Sequence, residues 1–100
     1  MKLLAIMRPH EGVDVRAEIA SRADAELRAL WDLYGSDFVR EMYTPGGPGA
    51  VLVLEASSPD QARRSLEELP LLGNRVMDLE LIELHPFTAL RMLFKDPAVL

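Results

Sequence analysis

The sequence predicts an α+β domain with element order βαββαβ, in which four antiparallel strands carry both helices on one face. Three observations carry the prediction. Residues 3–7 and 51–54 are apolar at every position, as expected of central strands covered on both sides. Two segments repeat apolar residues at spacings of three and four, the mark of amphipathic helices. Proline and glycine breakers separate all of these runs.

Residues 2–8 form the first expected strand, closed by Pro9, and residues 9–12 a turn. Asp14 has the chemistry of an N-cap. Ile19, Ala23, Leu27, Leu30, Trp31 and Tyr34 make the apolar stripe of the first helix, with Arg16, Glu18, Arg22, Asp24, Glu26 and Arg28 on the remaining surface. On this reading Trp31 and Tyr34 are core residues, and Gly35 stops the helix. Residues 38–44 alternate and favour a second strand. The Pro45-Gly46-Gly47-Pro48-Gly49 run is a hairpin loop leading to a third strand over residues 50–56. It lacks the Gly-Lys-Ser/Thr ending of a phosphate loop.

Ser58-Pro59-Asp60-Gln61 is a capping box with proline at the first helical position. Ala62, Leu66 and Leu69 supply that helix's buried side, and Pro70 ends it. Gly73 and Asn74 turn the chain into a fourth strand over residues 76–84, where Met77, Leu79 and Leu81 alternate with Asp78 and Glu80. Residues 87–95 read as a short amphipathic tail helix. The chain is one domain, 1–100, with a core over 1–86 and a tail over 87–100.

This order is the split βαβ, or ferredoxin-like, arrangement. Right-handed crossovers put both helices on one face, strands one and three in the centre, and the charged strands two and four at the edges. The second face of the central strands stays apolar and uncovered. An apolar patch of that kind marks an interface, so two sheets are expected to pack face to face as a dimeric α+β barrel. The competing arrangement is a monomer whose tail, with Phe87, Leu90, Leu93 and Phe94, folds over the bare face.

Composition narrows the partners. A net charge of −5 argues against nucleic acid and anionic membranes, both of which need a basic surface. The absence of cysteine removes disulfides and thiolate chemistry. The apolar run at the N-terminus is too short for a signal or a membrane span. The expected location is cytoplasmic, and no cofactor or metal is indicated.

Several residues have the chemistry of a site. Arg40 would clamp a carboxylate, and Tyr43 or its neighbour Glu41 would face a cavity from the second strand. Glu55 interrupts an apolar strand, and a buried charge there needs a partner. Asp78 and Glu80 share one strand face, where close carboxylates raise one pKa. His10 falls near the start of strand four, in reach of Asp78, whereas His85 lies at the opposite sheet end. Each has a structural alternative as a solvated edge charge, an ion-pair partner or a loop bystander.

From Leu54 onward the chain resembles the muconolactone isomerase family. The residues that carry the likeness are Leu54-Glu55-Ala56-Ser57-Ser58, Leu66, Leu69-Pro70-Leu71-Leu72, the strand from Met77 to Leu84, and His85-Pro86. The resemblance implies a dimeric α+β barrel, as a homodimer or assembled further into a larger homo-oligomer, a small-molecule ligand and cofactor-free acid–base chemistry on a small organic compound. Arg40 would suit an anionic one. Arg40 and Tyr43 would hold the substrate, and His10, Glu55 or Asp78 would act as base. The alternatives are a non-catalytic binding or sensing module, and a cofactor-free oxygenase of related barrels.

Overall fold

The computed structural model describes residues 1–94. Its elements are β1 (Lys2–Pro9), α1 (Val15–Gly35), β2 (Val39–Tyr43), β3 (Ala50–Glu55), α2 (Pro59–Glu67), α3 (Pro70–Gly73) and β4 (Met77–Glu83), followed by a 3-10 segment, Thr88–Leu93. All strand pairs are antiparallel and the order is β2-β3-β1-β4. The two apolar strands are therefore central and the two charged ones are edges. This is the ferredoxin-like α+β fold expected from the sequence.

Register explains which side chains meet the helices. Leu3, Ala5 and Met7 of β1 pair across with Leu54, Leu52 and Ala50 of β3. With Val39, Leu66, Leu69 and Met77 they form the core between sheet and helices. The intervening residues, Leu4, Ile6, Val51, Val53 and Ile82, share the other face, and no helix among the described residues covers it. The 3-10 segment does not cover it either, since Phe87, Leu90, Met92 and Leu93 are all exposed. Lys95, the expected last residue of the tail helix, lies outside the described residues.

Helix starts follow the sequence closely. The Asp14 carboxylate accepts the Ala17 N–H at 3.4 Å, and the Ser58 hydroxyl accepts the Gln61 N–H at 3.1 Å. Gln61 returns its carbonyl to the Ser57 N–H rather than to that of Ser58. Two expected stops differ. Gly35 stays helical, and the left-handed residue that ends α1 is Asp37, with φ of 65°, a conformation aspartate tolerates. Pro70 ends α2 but also opens α3, where its missing N–H costs nothing at the first helical position.

The apolar stripe of α1 is rotated from the one expected. Leu27, Trp31 and Tyr34 are exposed, Trp31 by 68%. The side facing the sheet runs through Val15, Ile19, Leu30 and Leu33, and its centre is Glu26, which is only 4% exposed. Successive helical residues turn by about 100°. Leu27 and Trp31 therefore point sideways when Glu26 points inward. Trp31 and Tyr34 are not core; their rings pack on each other with centroids 6.1 Å apart.

Candidate functional site

A cavity of about 720 Å³ lies between α1 and the sheet, at the end closed by the β2–β3 hairpin. Its size is within the usual range for small-molecule sites. Met7, Leu30, Met42, Leu52 and Met77 make much of its wall, and Tyr43, Thr44 and the Gly47–Gly49 stretch of the loop complete the lining. The loop can sit this close only because of Gly49. Its φ is +133°, and a Cβ there would fall 2.4 Å from the Met7 carbonyl oxygen, so any side chain would push the hairpin off β1.

Glu26 is the acid in this wall. Its Oε1 accepts the Leu71 N–H at 2.9 Å. The contact satisfies the start of α3, whose N-cap, Leu69, offers no side-chain bond of its own. Burial raises the Glu26 pKa above the ordinary 4.5, and the Leu71 amide only partly offsets that. The protonated form of the carboxyl group is therefore favoured more than in a glutamate exposed to water.

The residues singled out in the sequence are dispersed. Tyr43 borders the cavity, but it pairs with Val51 on the uncovered side of the sheet. Its hydroxyl donates there to Glu41, which raises the tyrosine pKa. His10 Nδ1 and Asp78 Oδ1 are 2.8 Å apart at the exposed edge of β1 and β4. Arg8 donates to Glu80 at 2.8 Å on the same face. Glu55 meets the Met1 amino group at 3.3 Å, at the other end of the sheet.

Arg40 is the extra residue of a β-bulge between Val39 and Glu41. Its Nε donates to the Asp37 carbonyl at 2.6 Å, and with Glu55 it borders a shallow hollow away from the main cavity. The structure therefore brings His10 to Asp78 and Arg40 near Glu55. Of the five expected site residues only Tyr43 lines the main cavity. Glu26 was missed because glutamate in a helix ordinarily marks the wet face. The signal was present: Glu26 lies seven residues after Ile19 and four before Leu30, the centre of one helical face.

Fold and cavity together define a ferredoxin-like α+β protein with a cavity of small-molecule size between its long helix and its sheet. Among solved structures the chain is similar to muconolactone isomerase, with a TM-score of 0.66 and 21% identity over 89% of this chain and 95% of that one. It is also similar to 5-chloro-2-hydroxyhydroquinone dehydrochlorinase (TftG) from Burkholderia phenoliruptrix AC1100, in complex with 2,5-dihydroxybenzoquinone. That match has a TM-score of 0.64 and 17% identity over 85% and 94% of the two chains. At these identities the shared property is the fold, and it is the muconolactone isomerase-like fold that the sequence motifs implied. No family model matches the chain, and no curated protein does. No helix among the described residues is long and apolar enough to cross a membrane.

Proposed function

We propose that the protein is a cofactor-free enzyme that moves a proton on a small ring compound, with Glu26 as the base. The observation that carries this reading is one buried carboxyl group, with a raised pKa, in the wall of an otherwise largely apolar cavity. Binding of a ligand alone does not call for an acid in the cavity wall, because burying it costs free energy. Glu26 takes a proton from a carbon next to a carbonyl, and the electron pair moves onto the carbonyl oxygen. The Thr44 hydroxyl and the backbone N–H groups of Gly47 and Gly49, which line the cavity, are the proposed donors to that oxygen. Glu26 then returns its proton at a second carbon, so the net reaction is an isomerisation. The names of the two structural neighbours denote an isomerisation and a removal of hydrogen chloride.

The working form is proposed to be a homodimer with the uncovered sheet faces packed together. Leu4, Ile6, Val51 and Val53 supply its centre, and the 3-10 segment over Thr88–Leu93 leaves that surface bare.

The test is the shift of the double bond in α-angelica lactone, followed by absorbance of the conjugated product. Wild type should accelerate it, and Glu26→Gln should lower the rate about 100-fold or more. Equal rates for the two proteins, or no acceleration by wild type, removes the proposal.

A further inference from the structure

The cavity wall also restricts the charge of what can enter. Its only ionisable side chains, among the described residues, belong to Glu26 and Tyr43. Arg22, one turn before Glu26 on α1, is engaged with Glu18 at 3.1 Å. Arg40 is turned to the Asp37 carbonyl, and Arg8 is held by Glu80. The whole chain carries a net charge of −5, so its long-range field also repels anions.

We infer that the cavity accepts an uncharged ring compound and rejects the same skeleton bearing a carboxylate. The inference rests on the proposed role of Glu26, since its ionised form is the nearest charge to the ligand. Two negative groups a few ångströms apart in an apolar cavity repel strongly. Other wall residues, Met7, Ile19, Leu30, Met42, Leu52 and Met77, offer surface that suits a flat ring and supply no counter-charge. The other polar groups of the lining are those of Tyr43, Thr44 and the loop backbone, which can meet neutral carbonyl or hydroxyl oxygens.

The experiment compares muconolactone with its methyl ester, two ligands of one skeleton that differ by a full charge. Binding to the full chain is measured at pH 7.5 by chemical-shift titration, in wild type and in Glu26→Gln. The ester should bind wild type at least about tenfold more tightly than the acid, and Glu26→Gln should narrow that ratio by rescuing the acid. Tighter or equal binding of the acid by wild type overturns the inference, as does failure of both ligands to bind. An unchanged ratio in Glu26→Gln overturns it too, because another group then sets the preference. Turnover is read separately. Ester preference without any Glu26-dependent isomerisation refutes the base role and leaves the charge selection standing.

Discussion

Replacing Glu26 by glutamine and by alanine separates the two things its carboxyl group does. The native pKa is raised above the ordinary 4.5, so the folded state binds its proton more tightly than the unfolded chain. The sign follows from linkage. Below the unfolded value both states are protonated and the group imposes no penalty. As pH rises through the native pKa the folded protein must carry a buried charge, and stability falls. Glutamine keeps an acceptor for the Leu71 N–H and never ionises. Glu26→Gln should therefore melt with wild type near pH 4 and above it at pH 8. Alanine leaves the Leu71 N–H without its 2.9 Å partner, at a cost of about 1–3 kcal/mol. For a domain of this length each kcal/mol lowers Tm by roughly 4–8 °C. Glu26→Ala should thus melt well below wild type at pH 4, with a smaller gap at pH 8. Melting curves by far-UV circular dichroism from pH 4 to 8 read all three proteins. Parallel pH profiles for wild type and glutamine would refute the reasoning, because they would mean that the carboxyl group is not perturbed by the fold.

Other perturbations have equally direct readouts. Gly49→Ala should cost at least about 1–3 kcal/mol in urea unfolding, since its φ of +133° and the Met7 carbonyl both exclude a side chain. Ile6→Lys, in the middle of the uncovered sheet face, should keep the native circular dichroism spectrum and halve the mass seen by light scattering; an unchanged mass would count against the face-to-face dimer. Leu69→Ala, at a fully buried site, should lose about 2–5 kcal/mol. Ser58→Ala removes the cap of α2 and should lose about 1 kcal/mol, with no effect on ligand binding.

The strands and their order were legible because each signal is local and redundant. The doubly apolar runs of β1 and β3 can only be central, and Pro45–Gly49 can only be a turn. Capping chemistry at Asp14 and Ser58 is written in neighbouring residues, and it places helix starts well. The phase of α1 was not legible, because Leu27, Trp31 and Tyr34 are apolar in sequence yet compete with Leu30 and Leu33 for a single buried face. Tertiary packing against β2 and α3 decides that competition, and it selects the face through Glu26. The site was obscured for the same reason. Arg40, Glu55, His10 and Asp78 have suggestive chemistry, but local partners engage them: the Asp37 carbonyl, a terminal amine, and each other. Only the depth of a cavity distinguishes a working acid from these, and depth is a property of the assembled sheet and helix.

The position of Trp31 has a practical consequence for spectroscopy. It is the one tryptophan in the chain, and its indole stands largely in water on the outer side of α1. Its emission in the native protein should resemble that of the free amino acid and change little on denaturation, so fluorescence is a poor gauge of unfolding. The same placement makes it a clean optical reporter of contact: a blue shift that grows with protein concentration would mean that another molecule has come to rest on that helix.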